Sequence, residues 1–283
     1  ADYCTAEEII GVAGQATDAL RPRGRPLPLP AHPFSFASQQ LAAGCRELGL
    51  HWQPNSLAIL SRPWRGRPPC NYCGNCGRGC SRLDKGTVDL TFIREAEATG
   101  RCTIRTGTVV TSIETGSNDR VTALICRRAD GASERVHART VVLAAGAVET
   151  PRLLLNAASP GSPQGLANES GQVGRNFMET LLWSSVGMHP QALGSHRGLP
   201  VDGICWDFNT PGTIPGVIGG ARFSISTAEV DLLGPLAYAT RVVPGWGRDH
   251  KRRMRAEFGR ALGVAAVGES LPNAGTFIDL DPD

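Results

Sequence analysis

The stretch Cys70-Asn71-Tyr72-Cys73-Gly74-Asn75-Cys76-Gly77-Arg78-Gly79-Cys80 constrains this chain more than any other. Four of the nine cysteines fall within it, spaced C-x2-C-x2-C-x3-C, and the glycines between them let a backbone turn tightly around whatever the sulfurs hold. Thiolates at this spacing suit an iron-sulfur cluster or zinc, although Ser81, not Pro, follows the fourth cysteine. In proteins with two clusters the fourth cysteine of such a run serves the other cluster. No second run exists in this sequence, so a cluster would use Cys80 itself or be a three-iron form. Three readings stay open: an iron-sulfur cluster held by Cys70, Cys73, Cys76 and Cys80, zinc at the same residues, or a Gly/Cys turn of ordinary thiols with one disulfide.

At 283 residues the chain can bury one large core or two ordinary ones. An apolar fraction of 41% against 19% charged, with no low-complexity tract, points to a folded protein rather than a disordered one. The 34 glycines and 20 prolines point to many turns and short elements. A net charge of +3 is too small to argue for nucleic acid. The arginines scatter apart from Lys251-Arg252-Arg253 with Arg255, which reads as a solvated helix face. No apolar run reaches the roughly 18 residues of a membrane span. The N-terminus lacks an initiator Met, a basic start and an apolar stretch, so it does not read as a signal peptide and the chain looks cut from something longer. The compartment, cytoplasmic or periplasmic, stays open.

Residues 5 to 20 read as a short helix capped by Thr5, with Glu8 three residues on. Arg21 to Phe34, rich in Pro22, Gly24, Pro26, Pro28, Pro30 and Pro33, reads as an extended connection. Ser38 to Leu48 has helical spacing, stopped by Gly49, and makes Cys45 a buried small residue rather than a ligand. Leu57 to Leu60 is expected as a strand and Phe92 to Ala98 as a helix ended by Gly100. Cys102 to Arg105, Val109 to Glu114 and Val121 to Arg128 read as strands, with turns at Gly116 to Asp119 and at Asp130-Gly131. The run Arg139 to Ala147 reads as a fully buried strand, followed by a helix with Thr150 at its cap and Pro151 at its first position. Strand, small-residue turn and helix N-terminus form a place where backbone N–H groups can meet a phosphate or dinucleotide; the plainer alternative is a βα unit packed on a sheet. Beyond residue 175, strands are expected at 183–188, 203–208, 217–225, 236–243 and 276–280, with a helix from His250 to Leu262. Such a series favours an antiparallel sheet with a helix on one face. Trp183, Trp206 and Trp246 read as core or sheet packing before pocket lining.

The succession Cys73-Gly74 to Gly79-Cys80, Lys85-Gly86, Val109-Val110 with Ile113, Val141-Val142-Leu143-Ala144-Ala145-Gly146-Ala147 with Thr150-Pro151 and Leu153-Leu154, and Val173-Gly174-Arg175-Asn176-Phe177-Met178 resembles the glucose, methanol and choline (GMC) flavin oxidoreductases. It is most similar to the bacterial FAD dehydrogenases of sugars and alcohols with a cysteine-rich loop. The resemblance implies an α+β or α/β fold: part of a three-layer FAD-binding domain plus a substrate domain built on a mostly antiparallel sheet. It implies a flavin-side portion at 67–174 and substrate-side portions at 1–66 and 175–283. Val110 would hold the adenine through its backbone, and Ala144, Ala145 and Gly146 would lie against the FAD. The implied partners are a sugar or alcohol and an electron-acceptor protein linked to haem or quinone.

Two family features are absent from these 283 residues: the Gly-x-Gly-x-x-Gly turn that binds the pyrophosphate, and the C-terminal His region that takes the alcohol proton. An internal portion of the family's chain is therefore expected, inactive by itself. Smaller departures are Ala157-Ala158, where Ser-Gly is common, and Glu179 after Phe177-Met178. None of the six histidines is paired with a carboxylate or cysteine in a recognisable constellation, so each reads as exposed or locally hydrogen-bonded and no catalytic residue is named. Two other classes compete: an iron-sulfur electron carrier without flavin, and a non-catalytic remnant or binding module.

Overall fold

The computed structural model describes residues 2–15, 22–116, 120–226 and 235–281. The chain divides into two compact units, residues 1–102 with 180–269, and residues 103–179 with 270–283.

In the first unit, helix α1 (Asp2–Ile10) begins ahead of Thr5 and ends at Gly11, where the chain turns into the two-residue strand β1 (Ala13–Gly14). The remainder of the helix expected to residue 20 is not formed up to residue 15, and residues 16–21 lie outside the described ones. The proline-rich connection is mostly irregular, but its Leu29–Pro30 forms β2, parallel to β1. Helix α2 (Phe36–Glu47) starts where Ser35 accepts the Ser38 N–H at 3.2 Å, a side-chain cap on an otherwise unpaired donor.

Strands β3 (Gln53–Pro54), β7 (Leu181–Met188), β8 (Gly203–Cys205), β9 (Ala221–Ser226) and β10 (Ala261–Gly268) make one antiparallel sheet in the order β3-β8-β9-β10-β7. β10 is an interior strand, pairing Ala261 with Met188 of the edge strand β7 on one side and Gly263 with Ser226 of β9 on the other. Ala37 and Leu41 of α2 pack with Leu193 against Ile225 of β9 and Leu262 of β10, the apolar seam that fixes the helix on the sheet. Helices α5 (Pro235–Arg241) and α6 (Gly247–Glu257) close a second cluster. In it the fully buried Tyr238 packs with Val243, Ala261 and Phe258, and its hydroxyl donates to the Glu257 carbonyl at 3.0 Å.

The strand expected at 236–243 is helical as far as Arg241. The helix expected to Leu262 stops at Glu257, and Ala261–Gly268 is a strand. Leu57 to Leu60 carries only isolated bridges, from Leu57 to Ala13 and from Ile59 to Lys85. Trp246 is 91% exposed and lies in no strand, and Trp183, though on sheet strand β7, is 61% exposed rather than core. Helix α3 (Phe92–Ala98) forms as expected, with Gly100 beyond its end.

In the second unit, β4 (Thr108–Thr115), β5 (Val121–Arg128) and β6 (Ser133–Val136) form an antiparallel meander in that order, with Gly131 turning β5 into β6. Of the expected turn at 116–119, Gly116 donates its N–H to the Arg120 carbonyl at 2.9 Å; residues 117–119 lie outside the described ones. Helix α4 (Gly146–Asn156) packs Leu153 against Ile113, with Val110, Leu124 and Leu143 around them. Cys102 to Arg105 forms no strand, and 276–280 contributes one bridge, Phe277 to Arg175.

Residues 139–147 form no strand either, and Val142 is 82% exposed. A buried strand needs hydrogen-bonded neighbours on its flanks, and no described strand pairs with this segment, so Val142 and Ala144 to Ala147 are left exposed while Leu143 packs on the core. Helix α4 consequently begins at Gly146, four residues before Thr150. Pro151 sits inside it, where the missing N–H leaves one early carbonyl without its helical partner. The observed architecture is mixed α and β with several antiparallel sheets, as the sequence implied.

Candidate functional site

The cysteine loop belongs to the first unit and is held at both ends. Cys70 N–H donates to the Leu60 carbonyl at 2.9 Å, and Leu60 N–H donates to the Asp84 carbonyl at 3.0 Å. Inside the loop Tyr72 N–H meets Cys70 Sγ at 3.3 Å, Cys80 Sγ–H donates to Asp84 Oδ1 at 2.9 Å, and Lys85 Nζ donates to the Cys76 carbonyl at 2.8 Å. Gly74, at φ +75°, lets the loop lie against residues 196–198: a Cβ there would fall 2.8 Å from the His196 carbonyl oxygen. Gly198 N–H then donates to the Tyr72 carbonyl at 3.1 Å.

All four sulfurs are free thiols, with Cys73 exposed and the others half-buried. Burial pushes the Cys70 thiol up and the Cys76 thiol up to about 11, Cys70 adding to the shift on Cys76 and Lys85 opposing it. Among the described residues no three or more of His, Cys, Asp and Glu are grouped to hold a metal ion. A cluster needs deprotonated sulfurs converging on one centre. Here the Cys80 thiol is turned to the Asp84 carboxylate and no three of the sulfurs gather on one centre among the described residues, so this arrangement does not fit the iron-sulfur group.

Beside the loop lies a cavity of about 410 Å3, lined by Phe34, Phe36, Tyr72, Leu193, Arg197 and Asp202 among others. Asp202 is 2% exposed. Its Oδ2 accepts the Ser35 N–H at 2.5 Å, while its buried Oδ1 has no hydrogen-bond partner. Behind Tyr72 sits His32, which sequence reasoning passed over because it precedes Pro33 in a loop. It is 3% exposed, with Nε2 2.9 Å from the Ile59 carbonyl and Nδ1 3.1 Å from the Tyr72 hydroxyl. A carbonyl only accepts, so Nε2 carries the proton. Burial holds the imidazole pKa below its ordinary value, which leaves the ring neutral and Nδ1 free to accept from Tyr72. A second histidine also differs from expectation: His51 Nδ1 lies 3.2 Å from Asp207 Oδ1, an exposed pair invisible in sequence because 156 residues separate the partners.

The second unit holds Val110, Ala144, Ala145 and Gly146. Val110 lies half-buried on β4, an edge strand, beside a β-bulge between Val110 and Ser112. An edge position leaves outward-facing backbone N–H and C=O groups. Ala144, Ala145 and Gly146 are exposed at the start of α4, where Ala145 N–H donates to Thr150 Oγ1 at 3.1 Å. Gly146 has φ +90°, and a Cβ built on it would meet nothing within 4 Å. Val110 and Leu143, the residue before Ala144, pack on the same cluster as Leu153 of α4, while Ala144, Ala145 and Gly146 stay exposed. Glu149 in the first turn, whose carboxyl is held low by its hydrogen bond to Arg152, is ion-paired to that guanidinium at 2.7 Å.

Comparison with known proteins adds three findings. The family model described as GMC oxidoreductase matches residues 27–181, more than half of the chain and inclusive of the cysteine loop, Val110 and Gly146. The chain is 29% identical to 2-methyl-1,2-propanediol dehydrogenase of Mycolicibacterium austroafricanum, over 99% of this chain and 51% of that protein. It is 35% identical to the fructose dehydrogenase large subunit of Gluconobacter japonicus, over 60% of this chain and 31% of that protein. The chain thus spans about half, or less, of the length of these relatives.

Proposed function

Because the chain belongs to the GMC oxidoreductase family, we propose that it forms the adenine- and flavin-contacting part of a dehydrogenase acting on CH–OH groups of an alcohol or sugar. FAD, when bound, supplies the hydride acceptor for such chemistry. The observation that carries this reading is the core shared by Val110, Leu143 and Leu153, which packs strand β4 against helix α4 and so fixes both candidate contact points.

The residues present fit the group. The open space and positive φ at Gly146 let a ring or a diphosphate approach the backbone, and the first-turn N–H groups of α4 favour negative charge. Arg152 offsets the charge of Glu149, which would otherwise oppose an anion there. Exposed Val142 and Val148 offer apolar surface against which a ring can exclude water. In this reading Val110 presents backbone groups to the adenine, and Ala144, Ala145 and Gly146 lie against the cofactor.

The substrate class rests on the relatives, one named for a diol and one for a sugar. The flavin-side portion is residues 67–174 and the substrate-side portions are 1–66 and 175–283. The electron-acceptor partner is a haem- or quinone-linked protein. The cysteine loop has a structural part, joining Leu60, Asp84 and Gly198 through hydrogen bonds, and its thiols support no cluster relay.

A hybrid tests the proposal: 2-methyl-1,2-propanediol dehydrogenase with its matched segment replaced by this chain. A folded hybrid is expected to hold FAD, and Gly146→Val is expected to weaken or abolish that binding. A hybrid with native-like circular dichroism and no flavin contradicts it.

A further inference from the structure

Helix α6 concentrates positive charge on one face. Arg248, Lys251, Arg252 and Arg255 recur at helical spacing and line one shallow groove together with Gly247 and Ala256. All four cations are exposed. The helix carries five cations against Asp249 and Glu257, an excess of three that equals the formal net charge of the whole chain. Glu257 is engaged by Arg253, which is not among the groove residues. Asp249 lies 3.2 Å from Arg252, both ends highly exposed. The helix packs through Met254 in the Tyr238 cluster, which fixes its orientation, and the four groove cations are turned to solvent.

Immediately before this face stands Trp246, 91% exposed. Gly245 and Gly247 on either side have φ of +133° and +78°, conformations an L side chain rarely takes. They leave Trp246 in extended backbone at the helix N-cap, presented outward next to Gly247 of the groove. An indole with its ring in water beside a row of cations matches the chemistry of a lipid headgroup layer, where tryptophan settles at the interface and Lys and Arg meet the anionic phosphates.

We propose that Trp246 and the Arg248, Lys251, Arg252, Arg255 face of α6 form a peripheral docking surface for an anionic lipid membrane. The charge supplies attraction and orientation, and the indole supplies the shallow anchor. This surface lies in the first unit and does not depend on the flavin reading.

Co-sedimentation of the 283-residue chain with vesicles tests it. Binding is expected to phosphatidylcholine vesicles containing phosphatidylserine and not to phosphatidylcholine alone, and to weaken as salt is raised. Arg248→Gln together with Lys251→Gln is expected to lower the partition coefficient roughly 30-fold. Trp246→Phe, with an unchanged melting temperature, is expected to remove the blue shift of tryptophan emission on binding. The proposal is overturned if the chain fails to sediment with phosphatidylserine vesicles, or if both variants sediment like the parent. It is overturned equally if the chain is retained on immobilised polyglutamate while ignoring the vesicles, an outcome that assigns the face to an acidic protein partner.

Discussion

The Tyr72 hydroxyl donates to Nδ1 of buried His32 at 3.1 Å, and the two rings meet edge to face with centroids 5.7 Å apart. This contact joins the proline-rich connection to the cysteine loop across forty residues of sequence, and it fixes the tautomer of a histidine whose other nitrogen is committed to the Ile59 carbonyl.

Burial lowers the His32 pKa in the folded protein below its ordinary value of 6.5. The unfolded chain therefore binds more protons than the folded one as pH falls through that value, so the contribution of His32 to stability is present above about pH 6.5 and is lost below it. Melting temperature followed from pH 8 to pH 5 is expected to decline on the acid side, and His32→Gln to flatten that decline. A histidine variant with the same acid slope as the parent would assign the effect to other groups.

Tyr72→Phe removes the donor and leaves Nδ1 of His32 buried without one. The expected cost is about 1–3 kcal/mol in urea unfolding, the range for stranding a buried polar group. An effect within about 0.5 kcal/mol, typical of an exposed surface change, would show that water replaces the hydroxyl.

With its pKa pushed up to about 11, the Cys76 thiol at pH 8 has about a hundredfold less thiolate than an ordinary cysteine, and thiolate is the reactive form. Alkylation by iodoacetamide under reductant and chelator, read by peptide mass spectrometry, is expected to label exposed Cys73 well before Cys76. Equal rates would contradict the burial of Cys76.

Leu153, 5% exposed, anchors α4 on the core that carries Val110. Leu153→Ala is expected to cost about 2–5 kcal/mol by lost burial plus the cavity left behind. Hydrogen exchange is expected to show the loss concentrated in β4 and α4, while protection of the sheet holding β10 is retained. Uniform loss over the whole chain would mean that the two units unfold as one.

The local signals were legible in the sequence where they decide the structure. Helix α3 is read to the residue, α2 and its glycine stop to within two, and the β4–β5 pair from apolar and β-branched spacing. Strand β10 was hidden because Ala261, Gly263, Ala265 and Ala266 have weak strand preference, and what makes them a strand is the pairing with Met188, Ser184 and Trp183 far back in the chain. The run at 139–147 failed the opposite way: its residues suit a buried strand, but no described neighbour pairs with it. Of the candidate site, the cysteine spacing and the small-residue turn before α4 were visible, whereas the His32–Tyr72 and His51–Asp207 contacts join distant segments and leave no periodic trace.

Whether this chain contributes the contact surface of a flavin dehydrogenase is decided by the flavin stoichiometry of the protein expressed from its native gene. About one FAD per chain is expected, with the oxidised flavin absorbance bleaching when an alcohol or sugar substrate is added without oxygen. Protein that is folded yet free of flavin, or that holds flavin which no alcohol or sugar reduces, would contradict it.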